Sequence, residues 1–153
     1  MKKPRNNKYA KYMGIEGRFW EIEEDLYTIQ TDKNQTLSTE FKIYIEPELK
    51  DKMYINIYKN SIESAYEVST YCNWGKGLYY LENIWNGIVI LSPELETKKK
   101  LGLHVYDDKR IEVEYNNFIE EVDEIWEERT PIEGFKFDVE PVHYIKKDGK
   151  YLD

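Results

Sequence analysis

At 153 residues, with 41% hydrophobic and 15% aromatic side chains, the chain is long enough for one folded domain and too rich in aromatics to be disordered. It carries 22 Lys and Arg against 30 Asp and Glu, a formal charge of −8 that opposes nonspecific binding to nucleic acid. A single cysteine, Cys72, and two histidines, His104 and His143, exclude an internal disulfide and a four-ligand Cys/His zinc site.

Residues 1–13 hold Lys2, Lys3, Arg5, Lys8 and Lys11 and no acid. They are expected to form a basic flexible arm, solvated or folded back on an acidic surface, with 14–153 as a single domain. The basic start is not followed by the apolar stretch of about 7–15 residues that marks a secretory leader, and no apolar run approaches the roughly 18 residues of a membrane span. The cytoplasm is the expected compartment. Alanine occurs only at Ala10 and Ala65, and arginine only at Arg5, Arg18, Arg110 and Arg129, a usage that points to an AT-rich bacterial or mobile-element gene.

Between Arg18 and Thr31, aromatic and β-branched residues flank Glu24-Asp25, which predicts two short strands and a turn. A polar loop is expected over 32–38. Phe41, Ile43 and Ile45, then Met53, Ile55 and Ile57, alternate with polar residues and predict a hairpin pairing Ile45 with Met53 and Ile43 with Ile55. That register gathers Tyr44, Tyr54 and Tyr58 on the opposite face, where amphipathic rings suit a recognition surface. Tyr66, Val68 and Cys72 predict a further strand. Gly75-Lys76-Gly77 serves a turn and lacks the spacing of a phosphate loop. The runs 78–85 and 88–91 flank Asn86-Gly87, the dipeptide favoured in a type I′ turn, so they form a second hairpin. A third is expected between 101–105 and 111–115.

Phe118, Ile119, Val122, Ile125 and Trp126 share one stripe at a period of 3.6, with Asn117 as cap and Thr130-Pro131 as stop, predicting a helix over 118–128. A final strand over 135–139 and a turn at 147–150 complete the pattern. The fold class expected is α+β: an antiparallel, hairpin-built sheet, or in the alternative a partly closed barrel, packed against one C-terminal amphipathic helix.

That helix is the main functional candidate, because Glu112, Glu114, Glu120, Glu121, Asp123, Glu124, Glu127 and Glu128 bring eight acids and no base between Ile111 and Glu128. Like charges at i, i+4 are mildly destabilising, so an uncompensated face suits a basic partner. The expected function is a small acidic intracellular inhibitor, such as a bacterial toxin-immunity or phage anti-defence protein. Its contact residues would be Glu120, Glu121, Glu124, Glu127 and Glu128 with Tyr44, Tyr54 and Tyr58, and its partner a basic protein. The alternative is a small-molecule or enzymatic pocket inside a curled sheet, with Trp74, Trp85 and His104 at its mouth. No cofactor is expected. A metal would have only Glu120, Glu124 and Glu127 with Asp107 or Asp108, without an EF-hand spacing. An exposed edge strand leaves a homodimer open.

Overall fold

The computed structural model describes residues 1–35 and 40–152. It is mostly antiparallel β-sheet with few helices, the α+β class expected from the sequence. The chain divides into two compact units, one of residues 7–68 and 129–139, the other of residues 1–6, 69–128 and 140–153.

The first unit contains β1 (Asn7–Tyr12), β2 (Ile15–Glu23), β3 (Leu26–Asp32), β4 (Lys42–Ile43), β5 (Lys52–Tyr58) and the start of β6 (Ser64–Trp74), hydrogen-bonded in the order β4-β5-β3-β2-β1-β6. Asp25 adopts a positive φ of 59° in the β2–β3 turn, where the acid pair predicted one. Alternation puts Phe19, Ile29, Ile55 and Ile57 on the buried face. The chain's two alanines, Ala10 and Ala65, are direct cross-strand partners, and Ala10 also faces Gly17. A Cβ at Gly17 would stand 2.2 Å from the Gln30 carbonyl oxygen, so small residues are required where β1, β2 and β6 approach.

Of the basic segment expected to be a flexible arm, residues 7–12 are structured, because β1 pairs on both sides, with β2 and with β6. The β4–β5 hairpin is also shorter than predicted. Ile43, not Ile45, faces Met53, a two-residue shift that keeps the side-chain phase but leaves Ile43 and Ile45 58% and 95% exposed. Pro47 explains the change, since it opens a short 3-10 turn over Pro47–Leu49 that ends the pairing early. Of the loop expected over 32–38, Asp32 closes β3 and Lys33–Gln35 forms a 3-10 turn; residues 36–38 lie outside the described residues.

The second unit contains the end of β6, β7 (Gly77–Trp85), β8 (Ile88–Pro93), α1 (Leu95–Lys100), β9 (Ile111–Glu114), α2 (Tyr115–Glu121), most of β10 (Glu124–Pro131), β11 (Val142–Lys147) and β12 (Lys150–Tyr151). Its strand order is β12-β11-β10-β6-β7-β8-β9, an open row, since β12 and β9 each pair with one neighbour. A closed barrel is therefore not formed within it. Asn86-Gly87 takes the two successive positive φ values of the type I′ turn the sequence predicts, and Asp148-Gly149, within the turn predicted at 147–150, does the same. Cys72, Leu81, Val89, Leu91, Phe118, Val122 and Ile125 fill the core.

Three predicted elements are corrected here. Residues 101–105 form no strand: α1 and a loop precede β9, which pairs with β8 through Val89↔Val113 and Leu91↔Ile111. Residues 135–139 are irregular, and the last strands are β11 and β12 instead. The C-terminal amphipathic helix over 118–128 is absent. Helix α2 ends at Glu121, Val122 turns extended with ψ 134°, and Glu124 onward is strand β10. As a strand, β10 buries Ile125 between β6 and β11 and stacks Trp126 on Tyr71, with ring centroids 6.2 Å apart. It also avoids the i, i+4 carboxylate contacts a helix would impose.

Candidate functional site

The break at Val122 sorts the acid-rich segment into two groups. In β10 the side chains alternate, so Glu127 lies on the same face as buried Ile125, while Glu124 and Glu128 flank Trp126 on the other. Glu127 is only 5% exposed. A buried carboxylate needs a paired cation, and Arg5 supplies it with a two-pronged contact: Nε donates to Oε2 at 2.9 Å and Nη2 to Oε1 at 3.0 Å. Arg5 is held in turn by its neighbours. Its carbonyl accepts the Thr70 hydroxyl at 2.8 Å, while the Asn6 amide donates to the Leu81 and Glu82 carbonyls and accepts the Thr70 N–H.

Glu124 and Glu128 are half-buried and bonded internally as well. The Asn73 amide donates to Glu124 at 3.4 Å, and the Trp126 indole N–H donates to Glu128 at 3.0 Å. Three of the five glutamates expected to meet a partner therefore serve the fold, because the helix that would have aligned them on one face does not form.

The other group lies between β9 and the start of β10. Glu112 and Glu114 alternate with inward Ile111 and Val113 on β9, Glu120 and Glu121 end α2, and Asp123 follows it; all five acids are exposed. Glu114 accepts from the Asn117 amide and Glu121 from the Trp74 indole N–H at 3.2 Å, bonds that leave both charges in place. Among the described residues none of the five enters an ion pair. The last turn of α2 has no base of its own, although a helix C-terminus favours one. The cation comes from β11: the buried Lys146 ammonium donates to the Val122 carbonyl at 2.6 Å and to that of Ile119 at 3.3 Å, with the Tyr151 ring beneath it.

The three tyrosines do not share the same surroundings. Tyr44 and Tyr54 pack together with ring centroids 4.6 Å apart, and the Gln30 amide donates to the Tyr44 hydroxyl. Tyr58 stands 63% exposed at the end of β5. Nor do Trp74, Trp85 and His104 gather around a cavity. Trp74 packs on Tyr79, Trp85 is 64% exposed at the β7–β8 turn, and His104 packs on Tyr106, whose N–H donates to His104 Nδ1. Burial pushes the Cys72 thiol up to about 12, which makes it a core residue and a poor nucleophile. Among the described residues no three His, Cys, Asp or Glu side chains group to hold a metal ion, and no described helix is long and apolar enough to cross a membrane.

Sequence reasoning missed Arg5 and Lys146 as partners of this segment. Only the basic character of the N-terminus hinted at the first, and the second gave no local signal. No curated protein and no solved structure matches the chain. Residues 4–134 match the family described as "Uncharacterised conserved protein UCP033725", and by that match the chain belongs to this family.

Proposed function

We propose that the protein is a small acidic binding protein, an inhibitor of the toxin-immunity or phage anti-defence kind, that meets a basic protein partner. Its contact is the acidic ridge of Glu112, Glu114, Glu120, Glu121 and Asp123. Glu120 and Glu121 carry over from the sequence expectation, while Glu124, Glu127 and Glu128 are bonded to Asn73, Arg5 and Trp126. The observation that carries the reading is that, among the described residues, none of these five exposed carboxylates enters an ion pair. Like charges held together cost stability, and a single-signed patch speeds encounter with an opposite one.

The test pairs wild type with a variant in which all five are lysine, each used to capture proteins from the native host. A basic protein captured by wild type should be lost by the variant. Its association with wild type at low salt should be at least about tenfold faster, with the gap closing at high salt as charges are screened. Equal capture and equal association rates would overturn the ridge as the contact.

A further inference from the structure

The unit formed by residues 7–68 and 129–139 carries a groove of about 640 Å³, lined by Asp25, Tyr58, Lys59, Asn60, Ile62, Gly134, Phe135 and Lys136. That volume lies within the roughly 300–1,000 Å³ of small-molecule sites. Its apolar part is fixed in place. Phe135 meets Phe19 and Tyr27 edge-on, with ring centroids 5.5 and 5.4 Å away, and Ile62 is buried beside them.

The main chain of both lysines is held as well. The Lys59 N–H donates to the Asp25 carbonyl at 2.8 Å, and the Lys136 carbonyl accepts the Ala65 N–H and the Ser64 hydroxyl. The Lys59 ammonium sits 5.1 Å above the centre of the Phe135 ring. Gly134 makes that position available: its φ is +88°, and a Cβ there would stand 2.7 Å from Lys59 Nζ. Among the described residues neither Lys59 nor Lys136 enters an ion pair, so in a protein of net charge −8 two lysines line a groove that also holds Ile62 and Phe135.

We infer that this groove binds a small organic anion, a carboxylate or phosphate on an apolar body, with Lys59 and Lys136 on the charged group and Phe135 and Ile62 against the body. An ammonium above a ring face, already partly stripped of water, exchanges what remains of its hydration for an anion at little cost. Asn60 and the Tyr58 hydroxyl offer further donors, and Asp25 rejects ligands whose charge is spread across the whole groove.

The experiment is a titration of the full chain, followed by backbone amide NMR, with phenyl phosphate, benzoate, inorganic phosphate and benzylamine. Phenyl phosphate, benzoate or both should shift the amides of Asn60, Ile62, Gly134, Phe135 and Lys136, and the tighter of the two assigns the charged group. Lys59→Gln and Lys136→Gln should each weaken that binding on the order of tenfold. Lys136 has an exposed side chain, so its variant keeps the test sound if Lys59→Gln perturbs the turn. Benzylamine binding as well as the anions, inorganic phosphate binding as tightly as phenyl phosphate, no shift at these amides, or full affinity in Lys136→Gln would each overturn the inference.

Discussion

On the two sides of Val122 the same residue type meets opposite fates. Up to it and just past it, Glu112, Glu114, Glu120, Glu121 and Asp123 are exposed and, among the described residues, enter no ion pair; in the strand that follows, Glu127 is buried against Arg5, and Glu124 and Glu128 accept bonds from Asn73 and Trp126. The difference is one of backbone geometry. A strand turns every second side chain inward: in β10 Glu127 falls in the inward phase with Ile125 and needs a partner, whereas in β9 Glu112 and Glu114 fall in the outward phase. Charge density along a sequence therefore says little about charge density on a surface until the backbone conformation is known.

Breaking the inner side should have the largest effect. Arg5→Ala leaves Glu127 buried and unpaired and should cost about 3–5 kcal/mol in urea unfolding, against less than about 0.5 kcal/mol for Glu120→Ala. Equal costs would erase the distinction between the two sides. Next comes Lys146→Met, which keeps the buried stem but removes the ammonium that caps the Ile119 and Val122 carbonyls. It should lower stability by about 1.5–3 kcal/mol in the same assay, with loss of hydrogen-exchange protection at Val122, whose N–H is bonded to Phe118. Trp74→Phe probes the border, removing the indole donor to Glu121 while keeping a ring against Tyr79. A cost of about 0.5–1.5 kcal/mol is expected by thermal unfolding. Smallest of all is the effect of salt on the ridge: replacing Glu112, Glu114, Glu120, Glu121 and Asp123 with glutamine should leave stability at high salt unchanged and raise it slightly at low salt, where repulsion is unscreened.

What the sequence disclosed follows the same logic. Asn86-Gly87 was legible because a type I′ turn needs two positive φ angles and few residues supply them. The strand through Tyr66 and Cys72 was legible from its alternation. The partner of β9 was not, because Ile111 and Val113 match Val89 and Leu91 as well as they match Leu103 and Val105, and alternation alone does not choose between them. The helix over 118–128 failed because a stripe at 3.6 residues is also satisfied by a short helix followed by a strand. Helix α1 carried a signal in Glu96 at its start and Lys98, Lys99 and Lys100 at its end, an arrangement that suits the helix dipole. At the candidate site, Glu120 and Glu121 were legible as exposed acids. The burial of Glu127 was not, since its partner lies 122 residues away in sequence.

Carboxylate footprinting tests the division at Val122 most directly. The native protein is treated with a carbodiimide and glycinamide, and each acid's modification rate is read by mass spectrometry, with exposed Glu48 as internal reference. Glu112, Glu114, Glu120, Glu121 and Asp123 should react at the reference rate, and Glu127 at least about an order of magnitude more slowly until the chain is unfolded, in line with the stability of a buried pair. Modification of Glu127 in step with Glu120 in the folded protein would contradict the account.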